Sequence, residues 1–574
     1  MPGFFVSDRK IRSELNNRYP QRCVKDSLDS TLGTIQRHTL NKFLEDKTFC
    51  ETEDLILVAE GYLLNKLELF ARYGVDTMAE LMAAMYRAEG EAFFAGFRGA
   101  FSGALFDKAK ALWLVYTNHT GDKAVFYSLN GDHFAAGSQV NYVLDACREL
   151  GWPLTLDEQA AYQMLTFGFM ESDGTYAREV RRLLGGTYLR IQKGQAQVCR
   201  YFRLEKHPER FAGQTEAQII DALDREFRRA VEQEYRKDEE YGLKHLADIS
   251  GGLDSRINTW AAHEGKPRHM QLITYSKNNY LDERIAKQIA VRWRDELLFR
   301  QLDDVSYLYE VDEIVFLNAG LSLYCGITGG KRMLEDLNMD RYGLEHTGQV
   351  NGAVVGSLLL SAEGLQKKYP TGRYSNKLSH RLSGDYAEQY DDHELYLLNT
   401  RTLRGILNTQ LIRENYTEVA FPFLDVELLQ LCLDIPLELR LGHNIYKKWM
   451  LTKYPEAARF RWEKTGARIS EGKFVGLLRK IVTKGPHKLL RMLGKGSLSD
   501  RGMNPLDYWF ARDEKLQAHL NGYEAEGYRW LKGASEQLIC DMKQLYATGT
   551  FNEKAMVLTV LAAAKLYFGE QNEE

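Results

Sequence analysis

No two of the seven cysteines (Cys23, Cys50, Cys147, Cys199, Cys325, Cys432, Cys540) share a C-x-x-C spacing. Neither a zinc knuckle nor a disulfide framework is expected from them, and a reducing cytosol fits. An excess of one charge is also missing. The 75 basic and 79 acidic residues are well mixed and leave a net charge of −4, so nothing points to a nucleic-acid or membrane-surface partner. No apolar run reaches the ~18 residues that a bilayer span needs. The first residues lack a basic stretch followed by an apolar one, so no signal peptide is expected. Internal repeats and low-complexity tracts are absent. What remains is ordinary globular material. The 574 residues are 44% hydrophobic and 27% charged, which is ample for large cores, and the length predicts two or more domains.

The pattern along the chain changes near residue 205. Before it, short strand-like runs and turns dominate: "DLILVAEGYL" (54–63), "GALFDKAKALWLVYT" (103–117), a hairpin around Asn130-Gly131 (123–138) and another hairpin over 183–204. "LTLDEQAAYQMLTFGF" (154–169) has helical spacing. This part reads as α+β with antiparallel pairing. After a polar connector (206–214), Thr215 is placed to cap a helix whose apolar positions Ile219, Leu223, Phe227 and Val231 recur every fourth residue. Strands and helices then alternate through "LKHLADIS", "DSRINTWAAHEG", "RHMQLITYS", "LDERIAKQIAVRW" and "ELLFRQL", which predicts a parallel, doubly wound sheet. From about 390 the chain is mostly helical, with a surface loop expected at 498–505 and a buried or amphipathic helix in the last stretch.

"ADISGGLDSRI" (247–257) stands where a strand gives way to a helix. In doubly wound sheets ligands bind beyond the carboxyl ends of the strands. Gly251 and Gly252 let backbone N–H groups come close to an anion, Ser250 and Ser255 add hydroxyls, and a helix N-terminus adds partial positive charge. Asp254 would repel a bare phosphate, so an acid here makes better sense holding Mg²⁺. The plainer alternative is a β-turn capped by Asp254.

"SGGLDS" matches the pyrophosphate-binding loop of the ATP pyrophosphatase superfamily, and the chain most resembles asparagine synthetases. "LDERIAKQIA" is similar to the family's second motif and would make Asp282 a second Mg²⁺ ligand. "EVAFPFLD" (418–425) resembles its E-V-R-x-P-F-L-D. "YKKWML" and "WEKTG" resemble its lysine-bearing segments, placing Lys464 near the phosphates, where it would offset charge on departing pyrophosphate; otherwise it is a solvated surface lysine. "FRGAFSGALFD", "GDKAVFYS" and "RRLLGGTYLRI" resemble landmarks of the family's glutaminase domain. The resemblance covers nearly the whole chain and is loose over 300–400. It implies an Ntn-hydrolase-like αββα domain over 1–205, followed over 206–574 by a doubly wound ATP-pyrophosphatase domain (adenine nucleotide alpha hydrolase-like) with a helical C-terminal part. It implies ATP and Mg²⁺, with ATP on Ser250, Gly251, Gly252, Asp254 and Ser255 and metal on Asp254 and Asp282.

The departures carry as much. The family begins M-C-G-I-F-G, with the cysteine as N-terminal nucleophile, whereas this chain reads Met1-Pro2-Gly3-Phe4-Phe5-Val6. Proline's secondary amine cannot serve as the acyl carrier. A misassigned start hiding a cysteine is the alternative, and Gly3 and Phe5 standing in register argue against it. The family's N-G-E, which grips glutamine, aligns with Glu60-Gly61-Tyr62. Gly352 and Ala353 stand where two acids are expected, and Ala420 where an arginine is. The resemblance therefore implies a cytoplasmic ligase that activates a carboxylate with Mg-ATP, releases AMP and pyrophosphate, and joins it to ammonia or to an amine of the substrate. β-Lactam synthetases and lasso-peptide cyclases, which also carry disabled glutaminase domains, are similar. A small-molecule or peptide carboxylate and amine are the expected partners, and a homodimer is compatible. An ammonia-fed asparagine synthetase and an inactive nucleotide-binding scaffold stay open as alternatives.

Overall fold

The computed structural model describes residues 2–326, 328–359, 373–384, 386–390, 392–471 and 499–569. Two six-stranded antiparallel sheets make up the N-terminal part. One runs in the order Val180–Arg182, Phe126–Asn130, His133–Gly137, Gly3–Ser7, Gly33–Leu40, Cys23–Ser30, and the other Gln195–Arg200, Thr187–Gln192, Leu112–Thr117, Gly99–Asp107, Leu55–Leu63, Thr48–Glu51. Period-two alternation decides what each face buries. Phe4, Val6, Val58 and Val115 meet between the sheets. Leu57, Leu105 and Leu114 turn outward, against the helices Lys66–Tyr73 and Met78–Glu89. Phe5 and Ala135 turn the other way, against Tyr142 and Ala146 of the helix Val140–Glu149. The Asn130-Gly131 turn sits where the sequence predicts it, with Asn130 paired to His133 and Gly131 at φ 59°.

The helix Glu216–Glu240 starts from a capping box between Thr215 and Gln218 and buries Ile219, Leu223, Phe227 and Val231. A five-stranded, all-parallel sheet follows in the order Glu296–Gln301, Met270–Ser276, Lys244–Asp248, Tyr342–His346, Val419–Ala420. Both of its faces are covered, as a parallel sheet requires. Ala247 and Leu272 pack toward the helices Glu216–Glu240, Asp254–Gly265 and Leu281–Trp293, and Leu246 and Ile273 pack toward Met333, Leu334 and Tyr416. Strand and helix positions agree with the sequence pattern to within a residue or two in this region.

The helix Phe551–Phe568 is buried on every side from Ala555 to Ala564, which suits a segment apolar all round. Its Met556, Val560 and Ala563 share one apolar cluster with Val140, Leu144 and Leu165 of the first part and with Val311 and Leu317. Packing thus runs across the compositional break near residue 205. No helix among the described residues is long and apolar enough to cross a membrane.

Candidate functional site

The central strand Lys244–Asp248 ends at Ile249, and the chain turns through Ser250 to Leu253 before entering the helix Asp254–Gly265. The turn is closed by its own hydroxyls. Ser250 N–H donates to Ser255 Oγ (3.0 Å), the two serine oxygens lie 3.0 Å apart, and Gly252 N–H donates to Ser250 Oγ (3.1 Å). Glycine is needed at 251. A Cβ there would lie 2.9 Å from Glu463 Cβ and 3.0 Å from Asp282 Oδ1, whereas at 252 it would meet only Ser250 Oγ at 3.1 Å. Gly348 comes in from the neighbouring strand end, and a Cβ on it would lie 2.3 Å from Ser255 N.

Ser250, Gly252, Asp254, Ser255 and Lys464 line one cavity of about 450 Å³. Gly251 and Asp282 stand behind this wall, joined by a 2.6 Å hydrogen bond from Gly251 N–H to Asp282 Oδ1. Burial raises the Asp282 carboxyl to about 6, the Gly251 amide opposes this, and nearby Glu463 adds to it. Burial also raises Asp254, while the hydrogen bonds from Tyr446 Oη (2.7 Å) and Gly352 N–H (3.2 Å) and the charge of Lys464 pull the other way. Lys464 itself is exposed, its Nζ 5.5 Å from the Trp462 ring.

The sequence reading does not name several residues of this cavity. Arg413 is buried and paired with Asp248 (3.1 Å) and Glu345. His443 has φ 58°, and burial together with Lys464 and Lys447 lowers its pKa to about 4, so the ring is neutral. Tyr446 bridges to Asp254. Arg413 and His443 lie in none of the quoted motifs, because the fold assembles the cavity from segments far apart in the chain, whereas Tyr446 opens the "YKKWML" stretch. Gly352, where an acid is expected, instead turns its N–H to Asp254. An acidic side chain at 352 would begin 3.3 Å from Asp254 Oδ2.

The cavity has the donors a metal-nucleotide needs. Two hydroxyls and the N-terminus of a twelve-residue helix could take phosphate oxygens, with Gly252 adding no side chain to the wall. The acids Asp248, Asp254 and Glu463 on the same wall disfavour a bare polyanion and suit one carried with a divalent cation. A second group with metal-capable atoms, Asp238, His245 and His346, brings one from each residue within 4.8 Å. Here both rings donate to Asp238 Oδ2 (2.8 and 2.7 Å). Burial opposes the charge on His346, but Asp238 and Glu234 outweigh it and raise its pKa to about 9. In this structure the group is a buried hydrogen-bonded cluster centred on Asp238.

At the position of the expected glutamine grip, Glu60 is buried. Its Oε2 accepts from Thr39 Oγ1 (2.7 Å), and Arg37 and Lys47 approach at 3.6 and 4.0 Å. Gly61 has φ 103°, and a Cβ there would lie 2.0 Å from Ala100 O. Tyr62 Oη donates to Val419 O (3.1 Å), and its ring packs in one apolar cluster with Ala420. Two departures read from separate parts of the sequence are therefore one contact. In the 418–425 stretch, Glu418 pairs with Lys123 (2.5 Å) and Lys47 (3.3 Å), and Asp425 caps the helix Val426–Asp434.

A model of the glutamine amidotransferase domain matches residues 49–202. A Mycobacterium bovis protein bearing the provisional name glutamine-hydrolyzing asparagine synthetase is 26% identical over 231 residues, which are 38% of this chain and 34% of that protein. A Methanocaldococcus jannaschii protein with a similar provisional name is 24% identical over 206 residues, 35% of this chain and 39% of its own length. The match thus spans little more than a third of these relatives. Among solved structures, the B. subtilis glutamine phosphoribosylpyrophosphate amidotransferase complexed with ADP and GMP aligns over 43% of this chain and 52% of its own, at 11% identity. Its TM-score of 0.21 is too low to bear on this chain. Residues 49–202 thus match a glutamine amidotransferase domain, and over little more than a third of its length the chain is similar to proteins provisionally named asparagine synthetases.

Proposed function

We propose that the chain is an AMP-forming carbon–nitrogen ligase acting in the cytoplasm on a small-molecule or peptide carboxylate and an amine that does not come from glutamine. The observation that carries this reading is the Ser250–Ser255 turn at the end of the central parallel strand, with Asp254 and Lys464 on the same cavity. In this reading the two serine hydroxyls and the N-terminus of the helix Asp254–Gly265 hold the phosphates. Asp254, with Asp282 behind it, would hold Mg²⁺, which would supply neutralisation of phosphate charge. A carboxylate oxygen attacks the α-phosphorus, the bond to the bridging oxygen breaks, and pyrophosphate leaves with the electron pair as Lys464 offsets its charge. The amine then attacks the acyl carbon, AMP departs and the amine loses a proton. What supports a non-glutamine amine is Glu60, committed to Thr39 and two cations, and Tyr62, committed to Val419. Gly352 and Ala353, where acids are expected, favour a second reading in which the site binds nucleotide without turnover.

The test is release of pyrophosphate and AMP against a panel of carboxylates and amines, ammonia and aspartate included. Formation of ADP would refute the chemistry. Tight Mg-ATP binding with silence across the panel would favour the second reading.

A further inference from the structure

A cavity of about 760 Å³ lies between the N-terminal sheets and the helices after residue 386, and it shares no wall residue with the Ser250 cavity. Two buried guanidinium groups, Arg182 and Arg404, face into it, each 6% exposed. Arg182 donates to Asn408 Oδ1 (2.5 Å) and Gly121 O (2.7 Å). Arg404 donates to Asn399 O (2.8 Å), Glu171 O, Tyr386 Oη (3.2 Å) and Tyr390 Oη (3.0 Å). All of these acceptors are neutral. Among the described residues neither guanidinium has a carboxylate oxygen within 4.0 Å, and burial, with Arg404 close by, lowers the Arg182 pKa to about 10. Glu414 and Asp122 offset part of this from a distance, Glu414 being paired with Lys123 (3.6 Å), and the acids on the cavity wall, Asp173, Glu205 and Asp392, pair with Arg181, Arg203 and Lys206.

A buried charge without a counter-charge is costly, and two of like sign on one cavity compound the cost. Arg404 also stands on a π-helix, Leu398–Ile406, a winding that is uncommon and frequent at functional sites. The cavity rim adds Arg200, Arg203 and Lys206. Of these, Arg203 pairs with Glu205 (2.5 Å) and Lys206 with Asp392 (2.7 Å). We infer that this cavity is a second anion site, in which Arg182 and Arg404 close on one oxyanion group, a carboxylate or a phosphate, of a small molecule. Guanidinium forks suit both geometries, and the tyrosine hydroxyls beside Arg404 can turn to donate as well.

The probes are inorganic phosphate and malonate, titrated calorimetrically into the full chain at constant ionic strength. At least one should bind the parent. Arg404→Met should weaken that anion by roughly tenfold or more, the usual worth of a charge-assisted hydrogen bond. Arg404→Lys keeps the charge without the fork and should fall between, which also covers the chance that the methionine variant fails to fold. The anion that responds tells phosphate from carboxylate. Equal affinities of parent and lysine variant for both anions, or no binding of either, would overturn the inference. Equal binding is also what phosphate confined to the Ser250 turn would give.

Discussion

Gly251 is where the phosphate turn tolerates least. Its missing side chain lets the Glu463 backbone and the Asp282 carboxylate close behind the turn (Glu463 N to Gly251 O, 3.0 Å). Gly251→Val is expected to push this wall into the cavity and abolish Mg-ATP binding by calorimetry. Gly252→Ala, facing only a hydroxyl, should weaken it less. Asp282 supports a second expectation. Its folded pKa is raised from 3.8 to about 6. A raised carboxyl favours the fold below its unfolded value and loses that contribution as pH climbs through the folded one, so at pH 7 the ionised group works against stability. Asp282→Asn keeps an oxygen for the Gly251 amide, and it should melt higher than the parent at pH 7 in the absence of nucleotide while losing Mg²⁺-dependent affinity. If its melting temperature falls instead, Asp282 is chiefly structural. The turn was legible because Gly-Gly between two serines and an aspartate is local chemistry. Arg413 and His443 were not, since only folding brings them to this cavity, and Tyr446, though inside "YKKWML", gave no sign there of its bond to Asp254.

The helix Glu216–Glu240 shows what patterning reveals and what it hides. Its cap and apolar stripe read directly from spacing. Its buried Glu234 and Asp238 do not, because their partner His346 enters from a strand more than a hundred residues later. The N-terminal strands at 3–7, 23–30, 33–40 and 48–51 were likewise unmarked as individual elements, being set by pairing with one another more than by local pattern. The His346 cluster makes a pH prediction. Burial lowers its pKa and Asp238 with Glu234 raises it more, from 6.5 to about 9. A raised histidine stabilises fully below its unfolded value and loses that contribution as pH rises through the folded value. Glu234, moved up to about 7 chiefly by burial, shifts stability in the same sense, whereas Asp238, which burial pushes up but the two histidines together hold down, acts on the acid side. His346→Gln should therefore melt well below the parent at pH 6, with the gap closing between pH 6.5 and 9. A gap that stays constant to pH 10 would rule out a charged His346.

Across the whole molecule, buried ion pairs tie the antiparallel sheets to the edge of the parallel one. Burial pushes the Glu418 carboxyl up, but Lys123 and Lys47 outweigh it and hold it at about 2 against an ordinary 4.5. A lowered carboxyl contributes above its unfolded value and loses that contribution as pH falls through the folded one, here between about 4.5 and 2. The linkage is worth about 3 kcal/mol. Glu418→Gln should melt far below the parent at pH 7, because two buried lysines lose their partner. The two should converge as pH drops from 5 toward 3; parallel melting curves would contradict the pairing.

The cluster joining Val140, Leu144 and Leu165 to Met556, Val560 and Ala563 sets terms for biosynthesis. A fragment ending at residue 205 would leave that apolar surface bare and should self-associate on a sizing column, where a monodisperse monomer would refute the expectation. On a ribosome elongating at about 5–20 residues per second, the same surface waits some tens of seconds for the helix Phe551–Phe568 that covers it. The newborn chain is, for that interval, a natural client for a chaperone.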